Sequence, residues 1–376
     1  MTPGLREIAW LFLKLGTLGF GGPAAHIALM EDEVVGRRGW LTRERFLDYV
    51  GATNLIPGPN STELAIHIGH ARAGWAGLIV AGAAFIVPAT LIVGTIAWAY
   101  VRYGTLPEVS GLLYGVKPVM IAVVAQALWG LGRIAVRTIT LGVLGMLAVA
   151  AIVAGVHELL VLAGAALIAI GVHRTVIAAI VASAAGTSLG AMSAGSVAAP
   201  FGLTHLFLVF AKIGSVLFGS GYVLLAFLRA DFVERLGWLS EAQLLDAIAI
   251  GQITPGPVFT TATFVGYLVG GPAGAVVATV GIFLPAFVFV AISGPLVPHL
   301  RRSKTAGAAL DGVNVASLAL MTVVSWQLAG SALIDPPTIA IAVISLVALV
   351  RFRVNSAWLI GAAAVLGLLF QRSGYW

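Results

Sequence analysis

Long apolar stretches separated by short polar segments run along almost the whole chain. Five stretches lack Asp, Glu, Lys and Arg and have the length that a helix needs to cross a bilayer core, about 20 residues. They cover residues 75–100, 138–156, 175–200, 271–300 and 312–334, with shorter candidates at 118–132, 159–172, 337–350 and 354–370. Because their apolar residues are continuous rather than alternating, the pattern predicts an all-α polytopic membrane protein and not a membrane β-barrel.

Four further apolar segments are interrupted. Residues 5–19 and 203–217 each end at a glycine-rich break, and residues 46–73 and 244–268 each contain Pro-Gly-Pro. Proline and glycine end or break helices. Since a break at membrane depth is tolerated only where it lines a cavity or is buried in protein, we predict broken, re-entrant helix hairpins.

The chain contains an internal repeat with an offset of 198 residues. Residues 14–60 align without a gap on residues 212–258, so that Lys14 matches Lys212. The two Pro-Gly-Pro turns also match, and they comprise Pro57, Gly58, Pro59, Pro255, Gly256 and Pro257. The repeat predicts two homologous halves, at 1–174 and 201–376, joined by a connecting membrane segment at 175–200.

Basic residues in matching loops indicate how the halves are oriented. The loop with Arg133 and Arg137 matches one at 331–337 that has no basic residue, whereas the loop with Arg102 alone matches a densely basic one at 301–304. Basic loops lie preferentially on the cytoplasmic side. The exchange of dense and sparse loops favours inverted topology over parallel halves.

Composition narrows the class of protein. About 60% of the residues are hydrophobic and 10% are charged, whereas a soluble domain carries about 25% charged residues. This excludes a cytosolic enzyme, a DNA-binding module and a disordered scaffold. The net charge of +6 is explained by arginines at helix ends rather than by nucleic acid. We expect a multi-pass protein of the cytoplasmic (inner) membrane without a cleaved signal peptide, because Arg6 and Lys14 interrupt the first apolar stretch.

Lys14 and Lys212 are the first candidates for chemistry, because each lies within an apolar helix. A cation near the membrane centre costs about 2.5–3.5 kcal/mol on insertion scales. One such lysine is equally well explained by a side chain that reaches the headgroup layer. Its recurrence at the matched position of both halves favours a functional role, the neutralisation of an anionic substrate.

The glycine-rich breaks and the turns after them supply hydrogen-bond donors. A helix that restarts after a break leaves unpaired N–H groups that attract anions, although small residues also permit close helix packing. Four such helix N-termini around one midplane cavity would suit a tetrahedral oxyanion. The candidate substrate-binding residues, besides the two lysines, are Gly21, Gly22, Asn60, Ser61, Thr62, Gly219, Ser220, Gly221, Thr260 and Thr261.

A second group comprises candidates for the pathway or for coupling. Glu63, His67 and His70 share one helical face, and Glu63 is a candidate proton carrier beside the anion site. Lys117 is either a third cation facing the cavity or a helix-end lysine. The sequence has no cysteine, Walker motif, GxSxG or HExxH, so we predict no catalytic residue, metal site or cofactor. The run from Glu31 to Arg45 is interpreted as a solvated cytoplasmic loop.

Four motifs resemble the chromate ion transporter family in its long, two-domain form. They are Phe-Gly-Gly-Pro-Ala-Ala-His-Ile at 20–27, Arg-Gly-Trp-Leu at 38–41, Pro-Gly-Pro-Asn-Ser-Thr at 57–62 and Gly-Val-Lys-Pro at 115–118. The resemblance implies export of chromate from the bacterial cytoplasm, driven by the membrane potential or a proton gradient. It makes positions matching Lys14, Gly21, Gly22, Asn54, Pro57, Pro59, Ser61 and Thr62 candidate pathway residues.

The chain departs from the family pattern at two positions. Asn54 stands where many relatives have Gln, while Gln252 retains that residue in the second half, and Glu63 replaces an expected Gln. The predicted partners are a small oxyanion and the lipid bilayer, with no nucleic acid; the oligomeric state stays open, a homodimer included. A sulfate-type oxyanion carrier and an anion channel are the alternatives, whereas the absent cysteine and cofactor motifs disfavour an intramembrane chromate reductase.

Overall fold

The first half of the chain folds into helices that follow one another through short turns. The computed structural model describes residues 3–19, 22–104, 106–174, 201–218, 221–352 and 354–372, and it contains no strand within these ranges. The helices of the first half are α1 (Pro3–Leu18), α2 (Gly22–Glu31), α3 (Arg43–Thr53), α4 (Asn60–Tyr103), α5 (Pro107–Ala135), α6 (Ile139–Val153) and α7 (Glu158–Arg174), and α2 continues as a π-helix, Asp32–Arg37.

The second half repeats this order, as the sequence repeat predicts. Its helices are α8 (Leu203–Val216), α9 (Leu224–Leu228), α10 (Glu241–Ile253), α11 (Thr261–Arg302), α12 (Lys304–Ala332), α13 (Pro336–Arg351) and α14 (Ser356–Arg372). A 3-10 turn, Gly221–Val223, and a π-helix, Arg229–Arg235, flank α9, and a second 3-10 turn, Val258–Thr260, precedes α11. The predicted connecting segment 175–200 lies outside the described residues.

α4 is a hairpin rather than one straight helix. Its backbone leaves the helical conformation at Ala73 and Gly74, and Gly74 has a φ of 58°, which favours glycine. A Cβ on Gly69 would overlap the backbone of Gly77, so the arms at 60–72 and 75–103 touch through these two glycines. The turn coincides with the predicted start of an apolar segment at residue 75.

α11 repeats the hairpin in the second half. Gly271, with a φ of 61°, forms the turn, and Gly266 meets Gly274 as Gly69 meets Gly77. The hydroxyl groups of Thr263 and Thr279 form a hydrogen bond of 2.7 Å between the arms. Both halves therefore contain a short arm folded back on a long one.

The two halves interlock. α1 packs on α4 and α8 packs on α11, but α5 packs against α13 and α14, and α12 packs against α6 and α7. α4 also contacts α11 directly, which joins the halves at the centre. Pro118 lies inside α5 rather than at its start, because the long contacts with the other half hold the helix together across the proline.

Large apolar side chains cover the outside of the bundle. Leu91, Met146, Trp326 and Trp358 are all mostly exposed, an arrangement that lipid solvates and that water disfavours. Among the described residues, four helices are long and apolar enough to cross a bilayer, Asn60–Tyr103, Glu108–Ala135, Val258–Ser293 and Thr305–Ala332. The predicted fold class, a helical polytopic membrane protein with two homologous halves, is confirmed.

Candidate functional site

Each Pro-Gly-Pro turn meets the end of the first helix of the other half. The N–H of Gly58 donates to the carbonyl oxygen of Leu217 at 2.8 Å, and the N–H of Gly256 donates to the carbonyl oxygen of Gly19 at 2.9 Å. These two hydrogen bonds are equivalent under the 198-residue repeat. The helix breaks of one half and the turns of the other therefore come together next to α4 and α11.

The turns are tightly enclosed. A Cβ on Gly256 would lie 2.5 Å from that of Ala89 and 3.0 Å from the carbonyl oxygen of Gly16, and one on Gly58 would lie 3.7 Å from that of Ala286. Free N–H groups were predicted in the first turn of the helix after each Pro-Gly-Pro, whereas the N–H groups of the two glycines already donate to a carbonyl oxygen. The donors that remain in the first turn of α4 are the N–H groups of Asn60 and Ser61, because those of Thr62 and Glu63 donate to Pro59.

The polar side chains of the first turn are largely buried. Asn60 donates its amide N–H to the Asn54 side chain at 2.8 Å. Ser61, Thr62 and Glu63 are buried, and Glu63 is fully inaccessible. Among the described residues, the Thr62 hydroxyl and both carboxylate oxygens of Glu63 have no hydrogen-bond partner. This turn therefore carries spare polar groups at the centre of the protein.

The second turn uses its polar groups locally. The hydroxyl of Thr260 donates to Pro257 and that of Thr261 donates to Val258, each at 2.8 Å. The side-chain N–H group of Gln252 is buried without a partner in the described part of the chain. The two turns thus share a backbone but differ in the groups that they offer.

The helix breaks are only partly described. Gly22 begins α2 and Gly221 begins a 3-10 turn, while Gly21, Gly219 and Ser220 lie outside the described residues. At the first break, His26 Nε2 lies 2.8 Å from the Gly19 carbonyl oxygen, so this nitrogen carries the proton. Sequence reasoning assigned no role to His26, although its place three residues after the Gly-Gly-Pro break was visible.

Lys14 and Lys212 are both held by a carboxylate of their own half. Lys14 Nζ lies 2.9 Å from Glu33, and Lys212 Nζ lies 2.6 Å from Asp231. Glu33 is buried in the π-helix Asp32–Arg37, so the prediction of a solvated loop is wrong there. The missed signal was that Glu33 and Asp231 match in the 198-residue repeat.

An arginine four residues further on contacts the same carboxylate in both halves. Arg37 lies 3.5 Å from Glu33, and Arg235 forms an ion pair with Asp231. The hydrogen bond from Lys14 lowers the pKa of Glu33, whereas burial raises the pKa of Asp231. The second cluster is more enclosed because Glu158 of the first half also packs onto it, 3.1 Å from Arg235.

Lys117 faces a cavity between the halves. Its Nζ lies 3.0 Å from Asp246 Oδ1, and the hydroxyl of Tyr100 donates to Asp246 Oδ2 at 2.7 Å. The cavity has a volume of about 350 Å³ and also reaches Tyr114, whose hydroxyl donates to Asp335 at 2.6 Å. Lys117 and Asp246 therefore form an ion pair across the seam between the halves.

The two histidines near Glu63 have aromatic neighbours. The His67 ring stacks on Tyr49 with centroids 5.2 Å apart. The His70 and Trp75 rings form a T-shaped pair with centroids 5.4 Å apart. In the described ranges, no three His, Asp or Glu side chains gather where they could hold a metal ion.

Homologous halves and interrupted helices that meet between α4 and α11 are typical of a membrane transport protein. The family model described as "Chromate transporter" matches residues 6–172 and again residues 204–368. The chain belongs to the chromate transporter family.

Three relatives align over most of their length. A chromate transport protein of Cupriavidus metallidurans is 32% identical over 97% of this chain and 93% of its own. A probable chromate transport protein of Synechococcus elongatus is 30% identical over 97% and 95%, and a chromate transport protein of Pseudomonas aeruginosa is 33% identical over 85% and 79%. No solved structure matches the chain.

Proposed function

We propose that this protein carries chromate out of the cytoplasm across the inner membrane, with the membrane potential as the driving force. The observation that carries the proposal is the pair of lysines, Lys14 and Lys212, at equivalent positions of two halves whose breaks and turns converge. A dianion that leaves a cell with a negative interior gains about 2 × 2.3 kcal/mol per 100 mV. Export therefore needs no second ion, whereas uptake does.

Each group at the centre has a proposed role. Lys14 and Lys212 neutralise the dianion, and the free N–H groups of Asn60 and Ser61, with the Thr62 hydroxyl, donate hydrogen bonds to its oxygens. Glu63 is the candidate for proton coupling, because its carboxylate is buried beside these donors and has no hydrogen-bond partner in the described part of the chain. Thr260 and Thr261 are weaker candidates since their hydroxyl groups already bond to the backbone.

We also infer that the halves have inverted topology. Gly82 of α4 touches the ring of Phe287, while Gly94, further along α4, approaches Thr263, which is hydrogen-bonded to Thr279. The contacts in α11 thus run backwards as α4 runs forwards. Equivalent long arms that cross the membrane in opposite directions support an inverted repeat.

Single cysteines test the topology cleanly, because the chain has none of its own. Arg102→Cys lies at an exposed position in the last turn of α4, and Ser303→Cys lies just after α11. A membrane-impermeant maleimide added to right-side-out vesicles should label only one of the two variants, and everted vesicles should label the other. Labelling of both from the same side would contradict inversion.

Transport by Lys14→Ala and Lys212→Ala tests the site. Everted vesicles that contain each variant at equal abundance should take up chromate at least 10-fold more slowly than wild type, because the dianion loses a counter-charge. Arg43→Ala, which removes an exposed cation paired with Glu31, is the matched control and should transport normally. Normal transport by both lysine variants would refute the site.

The alternatives are distinguished in the same vesicles. Sulfate is a rival substrate because it has the same charge and shape as chromate. A sulfate-type oxyanion carrier would take up sulfate with a higher Vmax/KM than chromate. A channel would show neither saturation nor counterflow, whereas a carrier shows both. Collapse of the proton gradient at constant membrane potential distinguishes two driving forces. Chromate uptake by everted vesicles slows if transport is coupled to protons, and it is unchanged if the membrane potential alone drives export.

A further inference from the structure

We propose that Glu33 and Asp231 are placeholders, carboxylates that hold Lys14 and Lys212 in the empty transporter and release them to the arriving dianion. This proposal rests on the proposed role of the two lysines and adds two positioning residues to the site. The two ion pairs are repeat-equivalent, and the acid lies 19 residues after the lysine in both. A feature retained at the same spacing in both halves serves the function that both halves share.

The carboxylate is the fixed member of each pair. The Lys14 side chain is 42% exposed and Glu33 is 7% exposed, while Lys212 is 29% exposed and Asp231 is 1% exposed. A lysine ammonium sits on a flexible four-carbon stem with rotatable donors. The lysine end of each pair can therefore swing away while the carboxylate stays in place.

A second cation remains with each carboxylate after the lysine leaves. Arg37 and Arg38 lie 3.5 Å and 3.3 Å from Glu33, and Arg235 contacts Asp231. A buried carboxylate that loses its partner is strongly destabilising. Because an arginine is already in contact in both halves, release of the lysine does not leave the acid uncompensated.

The exchange selects for divalent anions. A carboxylate offers the lysine one negative charge, whereas chromate offers two, and the Coulomb attraction at equal distance is proportional to that charge. A monovalent anion gains no charge advantage over the carboxylate that it must replace. The placeholder carboxylates therefore disfavour the binding of monovalent anions to the lysines and permit the binding of dianions.

Neutral variants of the acids test the proposal. In Glu33→Gln the described contacts leave Lys14 without a carboxylate, and in Asp231→Asn Lys212 keeps only Glu158, at 4.0 Å. The KM for chromate should therefore fall about 5-fold, Vmax should fall because release is slower, and nitrate should become a competitive inhibitor. The measurement is chromate flux in proteoliposomes containing the full chain. Asp32→Asn and Glu234→Gln remove neighbouring acids that form ion pairs with Arg37 and Arg229 and, among the described contacts, with neither lysine, and they should leave KM and nitrate insensitivity unchanged.

A purely structural ion pair gives a different pattern. If the pairs only fix α1 and α8 in position, the neutral variants lower Vmax or abundance, KM stays unchanged and nitrate does not inhibit, which would overturn the proposal. Unchanged KM with inactive Lys14→Ala and Lys212→Ala would refute the placeholders alone. Normal transport by the lysine variants would refute the proposed site itself.

An exchange of the two charges adds an independent test. The double variant Lys14→Glu with Glu33→Lys keeps an ion pair but places a carboxylate at the mobile position. We expect normal abundance and loss of chromate transport. Transport by this variant would overturn the proposal, and, should it not accumulate, the KM and nitrate measurements on the neutral variants decide.

Discussion

The two Pro-Gly-Pro turns have the same backbone and different chemistry. In both, the glycine N–H donates to the end of the first helix of the opposite half. The first turn is followed by Glu63, which is fully buried with both carboxylate oxygens unpartnered in the described ranges. The matching Thr261 donates its hydroxyl to the backbone. The repeat thus preserves the backbone of the turn, while the unpartnered carboxylate is present in the first half only among the described residues.

This difference distinguishes two classes of residue at the turns, those that fix helix contacts and those that carry spare polar atoms. Residues that fix helix contacts, such as Gly16 and Gly214, recur in both halves and touch equivalent backbone of α4 and α11. Residues with spare polar atoms, such as Glu63 and His26, have apolar or locally satisfied counterparts. Substitutions in the first class should act alike in both halves, and those in the second should not.

Alanine at Gly16 or at Gly214 should have the largest effect. The new Cβ would overlap the carbonyl of Phe85 in the first case and of Ile282 in the second, and backbone cannot move aside as a side chain can. We expect a loss of more than about 4 kcal/mol of stability, seen as loss of the monodisperse detergent-solubilised protein. Gly164→Ala, which meets nothing within 4 Å, is the control. If one of the two substitutions were tolerated, Gly16 and Gly214 would not have equivalent structural roles in the two halves.

Lys117→Asn should have the next largest effect. It gives the first half the residue that the second half carries at the matching position, Asn314, because the offset of the repeat has slipped to 197 residues in this part of the chain. It leaves buried Asp246 with the Tyr100 hydroxyl. Breaking a buried ion pair costs about 3–5 kcal/mol, and the partial exposure of Lys117 puts the expected loss near the lower value.

Thermal unfolding in detergent measures this loss, and Arg133→Asn on the same helix is the control. The double variant with Asp246→Asn should recover most of the stability, because neither charge is then left alone. If the double variant is no more stable than Lys117→Asn, the stability of the contact between the halves does not depend on the Lys117–Asp246 ion pair.

Substitutions at Glu63 and at its repeat equivalent Thr261 should have the smallest effects, and they should change the stability in opposite directions. Glu63→Gln removes a buried carboxylate without a partner, so the unfolding midpoint at pH 8 should rise. Thr261→Val removes a hydrogen bond and should lower stability by about 1 kcal/mol. The same thermal assay compares them, and a lower midpoint for Glu63→Gln would indicate that its carboxylate has a stabilising partner.

Much of the architecture could be predicted because it is periodic along the chain. The 198-residue offset matches α1 to α8 and α4 to α11, and the apolar segments predicted to begin at 75 and 271 coincide with the hairpin turns. Glycine marks these two turns because it adopts the positive φ found at Gly74 and Gly271 without a steric penalty.

The partners across the fold could not be predicted from local pattern. Glu33 lies in a run of charges that is typical of a loop, and only its match to Asp231 distinguished it. The N–H groups of Gly58 and Gly256 donate to Leu217 and Gly19, and local pattern did not predict these hydrogen bonds because each acceptor belongs to the opposite half. Contacts of this kind depend on how the halves interlock, which no periodicity encodes.

That interlocking has a consequence for biosynthesis. When the ribosome has completed α5, the neighbours of this helix, α13 and α14, have not yet been made. The first half therefore lies in the bilayer without these helix contacts until the last helix has been synthesised. During this time its unpaired helix surfaces are accessible to membrane proteases and insertases. Two halves synthesised from separate messages would assemble only if they meet before either is degraded.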